Sequence, residues 1–253
     1  MLQYILLFVV GIAVGAMNAV AGGGMLLGFP VLLATGMPAL VANATANIIV
    51  LPGQFASAYG YRRYLRTIPR SYLLLLIPCA VGAAIGAIIL RNTSYGSFAH
   101  LVPWLIVFAV VLFALQPYLH FHLKRHMNRP QTAKKPPKWL AACIIPLSIY
   151  GGYFGAGLGF VMLAFLGFTN LKDIHKMNAL KNLLAAMIAI TSIACLFSTH
   201  LIDWHKGFAM GGGNLLGGYF GAVLSQRIPS NAIRIVVITI GIITAGYLVV
   251  HSH

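Results

Sequence analysis

From Met1 to Tyr61 the chain carries no Asp, Glu, Lys or Arg. A stretch that long without a charge has nothing to hold it in water, and its apolar runs match the roughly 20 residues of a spanning helix. The whole chain continues in that style, with 60% hydrophobic and 8% charged residues. These features predict an all-α, multi-pass membrane protein, and 253 residues suit about eight spans joined by short loops.

The chain is also written twice. Ala21-Gly22-Gly23-Gly24 and Ala156-Gly157-Leu158-Gly159 stand 135 positions apart. The same interval separates Asn43-Ala44 and Asn47 from Asn178-Ala179 and Asn182, and Gly82 and Gly86 from Gly217 and Gly221. Glycine runs and asparagines are costly inside apolar segments, so their recurrence points to duplication. Duplicated membrane chains interrupted by glycine are typical of transporters. The expected organisation is a first repeat over 1–120, a basic linker over 121–138 and a second repeat over 139–253.

The glycine runs create a length problem. Residues 2 to 35 would form one helix of roughly 50 Å at 1.5 Å per residue, too long for one crossing and too short for two. A broken or re-entrant segment after Gly22-Gly23-Gly24 resolves it, and a second follows Gly155 to Gly159. Irregular backbone at membrane depth survives only where it is buried in protein or lines a water-filled cavity. The breaks therefore predict a cavity. Ala19-Val20-Ala21 imitates a signal-peptidase site, but no Lys or Arg precedes it, so the first span is expected to be retained. The remaining spans are expected at about 38–59, 71–90, 100–119, 139–154, 174–197, 205–224 and 232–250. Four spans per half would set the halves parallel, whereas an inverted pair needs an odd number. Lys and Arg favour cytoplasmic loops after spans two, four and six, with both termini cytoplasmic.

Within this plan Asn43 and Asn47 lie one turn apart on a single helix face, as do Asn178 and Asn182. Amides serve anions and cations alike, and interhelical hydrogen bonding is the simpler use for them. Lys181 lies between Asn178 and Asn182, some seven residues into its span. The chain has only two acids, Asp173 and Asp203, and Asp173 is expected to cap the helix start. A membrane lysine without an acidic partner is expensive, which suggests that its counter-charge arrives as an anionic substrate. Snorkelling, or contact with free carbonyls at a helix break, is the alternative. Half-helices starting after Gly24 or Gly159 would add free N–H groups to the same site. The candidate substrate-binding set is thus Lys181, Asn43, Asn47, Asn178, Asn182, Gly22, Gly23, Gly24, Gly157 and Gly159.

Other function classes find little here. The basic balance of 17 Lys and Arg against two acids lies largely in short loops and reads as orientation signal, not as a nucleic-acid surface. Neither aspartate is deep in a span, so an aspartyl protease or carboxylate proton relay has no residues. HExxH and GxSxG do not occur. Cys79, Cys143 and Cys195 sit in apolar runs as small core residues. His120/His122 and His251/His253 are spaced i,i+2 and do not share a helix face. No enzyme activity, cofactor or metal is expected.

With these residues assembled, the chain resembles the sulfite exporter TauE/SafE family of bacterial membrane permeases. The carriers are Gly22-Gly23-Gly24 with Pro30, the run Gly151-Gly152-Tyr153-Phe154-Gly155-Ala156-Gly157-Leu158-Gly159, and Met177-Asn178-Ala179-Leu180-Lys181-Asn182. The resemblance implies a permease of the bacterial cell (inner) membrane for small sulfur oxyanions such as sulfite or organosulfonates. The expected partners are that anionic substrate and the lipid bilayer, with homo-oligomerisation left open and nucleic acid set aside. A channel or permease for another solute, or a non-transporting assembly factor, are the competing readings.

Overall fold

The structure is a computed structural model that describes residues 1–20, 22–114, 136–169, 171 and 173–226. The linker up to residue 135, the expected eighth span and both histidine pairs lie outside the described residues. Within them the chain is entirely helical, without strands. Helices α1 (Leu2–Val20), α2 (Met25–Ala34), α3 (Ala39–Gly60) and the single turn α4 (Arg62–Leu65) are followed by a 3₁₀ segment, Arg70–Leu75, that leads into α5 (Leu76–Arg91). Then come α6 (Tyr95–Ala114), α7 (Lys138–Tyr153), α8 (Leu158–Gly167), α9 (Ile174–Leu196) and α10 (Trp204–Leu224).

Among the described residues four segments are long and apolar enough to cross a membrane: Leu2–Val20, Ala39–Gly60, Arg70–Arg91 and Ile174–Leu196. Shorter apolar helices stand beside them, α2 and α8 among them. The outer surface carries large apolar side chains, such as Trp104 at 73% exposure and Phe197 at 67%. Asn43, Asn178, Asn182, Asn214 and Lys181 are instead buried inside. That distribution suits a hydrocarbon solvent, where polar groups must find partners within the protein.

The expected boundaries fall within a few residues of the observed ones, because they follow from local chemistry. Asp173 caps α9, its carboxylate accepting from the His175 N–H at 2.8 Å, and Asp203 caps α10 by accepting from the Lys206 N–H at 3.0 Å. Cys79, Cys143 and Cys195 are free thiols.

Helix directions depart from the expectation. On α10, Gly207 lies against Thr45 and Ile48, Gly211 against Ile48 and Pro52, and Gly218 against Gly53. Both numbers rise together, so α3 and α10 are parallel. The same holds for α1, where Gly213 lies against Phe8, Gly217 against Ile12 and Gly221 against Ala16. Hence α1 and α3 point the same way. The short α2 is the return leg between them. Gly24 at its start abuts Val14 and Asn18, Gly28 approaches Met210, and Thr35 at its end accepts from Lys206 Nζ at 3.2 Å. A return leg after the glycines makes the break re-entrant and puts Met1 and the Arg62–Arg70 segment at opposite ends of the bundle. The expectation that both belong to one side counted Met25 to Thr35 as part of a crossing without reversing direction, and is corrected here.

Helices α3 and α9 run antiparallel. The His175 ring at the start of α9 lies 6.1 Å from Tyr61 and 5.0 Å from Tyr64, just past the end of α3. At the other end the Asp203 N–H donates to Thr45 Oγ1 at 3.0 Å. These helices begin at Ala39 and Ile174, the same 135-residue interval as the sequence motifs. The parallel relation expected from four crossings per half does not hold for this pair. With α2 as a fifth leg, the count in the first half becomes odd.

Candidate functional site

The two glycine breaks meet in the buried interior of the described bundle. Gly22 and Gly157, 135 residues apart, have φ of 80° and 74°, a left-handed conformation that glycine adopts without the Cβ penalty. Gly22 lies against Gly159, so close that a Cβ on either would come within 2.5 Å of the other's Cα. Any side chain at this crossing would separate the two glycine breaks.

The last carbonyls of a helix have no intrahelical partner, and both breaks leave such carbonyls buried. At the end of α7 the Tyr153 carbonyl accepts from Asn43 Nδ2 at 2.6 Å. At the end of α1 the Asn18 carbonyl accepts from Lys181 Nζ at 2.6 Å, and the Ala19 carbonyl accepts from the same ammonium at 3.4 Å. Asn18 also turns its side chain to the break, where Oδ1 accepts from the Gly24 N–H at 2.8 Å. In the second break the Tyr150 hydroxyl donates to the Ala156 carbonyl at 2.6 Å.

Lys181 is fully buried, with 0% exposure, so it does not snorkel. Nor does it lack protein partners, as expected from the scarcity of acids. The carboxyl end of α1 supplies them, and its dipole is equivalent to roughly half a negative charge. No carboxylate pairs with it. Among the described residues Lys206–Asp203, at 3.9 Å, forms an ion pair, and Asp173 stands at the start of α9.

Beside this junction lies a small cavity of about 50 Å³, partly open to the exterior. Its polar wall is Lys181, Asn18, Asn47 and Gln54; Gly22, Gly151, Gly155 and Gly159 bring backbone to it; Met25, Phe154, Leu158 and Ile188 make up much of the rest. Of the candidate residues, Lys181, Asn47, Gly22 and Gly159 are thus brought together. Asn43, Asn178, Asn182, Gly23, Gly24 and Gly157 are buried nearby but do not line this space. Asn43 is engaged by Tyr153, and Gly24 by Asn18. Both amide atoms of Asn182 and Oδ1 of Asn178 have no hydrogen-bond partner among the described residues. Asn18 and Gln54 were missed from the sequence. Gln54 is a polar residue seven positions after Asn47 on an apolar helix, which was a usable signal, but its 135-related position is Ala189.

Residues 7–248 match the sulfite exporter TauE/SafE family. The chain belongs to that family. A "Probable membrane transporter protein" of Haemophilus influenzae is 26% identical over 249 residues, covering 96% of this chain and 93% of the relative. The "Probable membrane transporter protein YfcA" of Escherichia coli K12 is 27% identical over 251 residues, with 98% and 90% covered. No solved structure matches the chain significantly. This TauE/SafE member is therefore a multi-pass membrane transporter and not an enzyme.

Proposed function

We propose that this transporter carries a small oxyanion of the sulfite or organosulfonate kind out of the cell, across a bacterial inner membrane. The observation that carries the reading is Lys181, a fully buried lysine facing a cavity in a chain whose two acids lie elsewhere. The helix end at Asn18 offsets about half a charge. An oxyanion would supply the remainder together with charge-assisted hydrogen bonds. Export is favoured because a negative interior expels an anion with about 2.3 kcal/mol per charge per 100 mV. No coupling carboxylate is needed for that direction.

The proposed architecture is two inverted repeats crossing at Gly22 and Gly159, about eight spanning segments in all, with re-entrant α1–α2 and α7–α8 turns. Its support is the shared 135-residue interval in helix starts, in left-handed glycines and in capped carbonyls. Arg62, Arg63, Arg66 and Arg70 cluster at one end and mark that side as cytoplasmic. The amino terminus then lies outside. A cysteine placed next to Met1 should react with an impermeant maleimide from the periplasm, and one beside Arg66 only after lysis; the reverse pattern would turn the molecule over.

The functional test is flux of sulfite from proteoliposomes. Lys181→Ala, inserted at normal levels, should abolish it. Lys181→Arg, with its planar and bulkier fork, should alter rate or selectivity. Normal flux by the alanine variant refutes the anion site at Lys181.

A further inference from the structure

Gln54 belongs to no repeated motif, yet it stands where the cavity is most demanding. It is 7% exposed, it lines the cavity, and its Oε1 has no hydrogen-bond partner among the described residues. A buried acceptor left unpaired is costly, so its persistence calls for a donor that comes and goes.

Its depth matches that of Lys181. Because α3 and α9 are antiparallel with Tyr61 beside His175, depth can be measured from that end. Gln54 lies seven residues before Tyr61 and Lys181 six residues after His175, or about 10 Å and about 9 Å along the axes. The two side chains therefore face the same level of one cavity from opposite helices. Their 135-related positions, Ala189 and Ala46, line the same cavity with methyl groups, so this pair has no counterpart toward the other end.

The chemistry of the pair is specific. An ammonium has three N–H donors, and two of Lys181's are directed to the Asn18 and Ala19 carbonyls. About one remains for a ligand oxygen. Gln54 presents an amide, one edge of which accepts and the other donates. An oxyanion that only accepts leaves the accepting edge unpaired. An oxyanion that also bears an O–H or N–H satisfies both residues at once.

We propose that Gln54 is a specificity-determining residue that selects monoanionic oxyanions carrying their own hydrogen-bond donor over those that only accept. This inference rests on the reading of Lys181 as the anion site. The test is flux in proteoliposomes of a matched pair, 2-hydroxyethanesulfonate and ethanesulfonate, equal in charge and differing by one hydroxyl. The wild type should favour the hydroxyl-bearing anion by roughly tenfold, the value of one well-made hydrogen bond. Gln54→Leu and Gln54→Met should bring the ratio near one, slowing the hydroxyl-bearing anion by about tenfold more than ethanesulfonate. Using both variants guards against one that folds poorly. A wild type without preference, or a ratio unchanged in a folded variant, overturns the proposal and leaves Lys181 untouched. Lys181→Met should lose both anions, and if it carries both normally the underlying site reading fails instead.

Discussion

The carbonyls of Asn18 and Tyr153 stand 135 residues apart, each at the end of a helix that runs into a glycine break, and they are met by different chemistry. Tyr153 receives a neutral amide from Asn43, while Asn18 receives an ammonium from Lys181, each at 2.6 Å. The backbone problem is the same in both places, a buried acceptor that needs a donor. Since an amide solves it at Tyr153, a positive charge at Asn18 exceeds what capping requires. A buried charge is far costlier than a buried amide. The excess is what a transported anion would use, and the contrast between the two breaks is therefore the best place to challenge the proposed function.

The largest effect should come from removing what the two breaks share. Gly22→Val combines a left-handed φ of 80° with a side chain directed at the Gly159 Cα. The variant should yield no monodisperse protein in detergent, and Gly159→Val should behave alike. A well-folded Gly22→Val transporter would mean that the breaks need not touch.

Next comes the difference itself. Lys181→Met should reduce anion flux by about a hundredfold or more, the scale of a lost charge-assisted contact. Asn43→Leu removes the cap on Tyr153 and should lower stability by about 1 kcal/mol, in the range of interhelical hydrogen bonds. Its flux should stay within about threefold of wild type. Flux and detergent unfolding measured on both variants separate the two roles. Equal loss of flux would show that the ammonium serves only as a cap, and the asymmetry would then be structural.

The smallest effects lie at the helix starts. Asp173→Ala and Asp203→Ala each delete a cap and should cost about 1 kcal/mol in thermal or chemical unfolding. Asp203 also faces Lys206 at 3.9 Å, a partly exposed pair that adds at most about 1 kcal/mol. Asp203→Ala should thus be the slightly worse variant, with anion flux retained in both. A strong flux defect in either would place a working carboxylate outside the cavity described.

Repetition was a good guide to the scaffold and a poor one to the cavity. The halves share Gly22, Gly157 and Gly159 and the four asparagines, and Gly22 and Gly159 do form the crossing. The cavity's polar wall is made largely from residues the halves do not share. Lys181 opposes Ala46, Gln54 opposes Ala189, and Asn18 opposes Tyr153. A filter that rewards recurrence passes over Gln54 and Asn18 for that reason.

By itself the sequence determined the helical class, the membrane setting, the positions of the breaks and the ends of most helices. All of these depend on short-range chemistry: apolar run length, the cost of glycine, and caps such as Asp173 two residues from the N–H it accepts. The tertiary structure alone decided the direction of α1 relative to α3, the antiparallel pairing of α3 with α9, and the partner of Lys181. A ten-residue α2 looks the same in sequence whether it continues a crossing or returns from one; packing against Val14 and Met210 selects the return. Lys181 finds its carbonyl 163 residues away, and no local pattern encodes a contact whose partner is a backbone atom exposed only by the break in another helix.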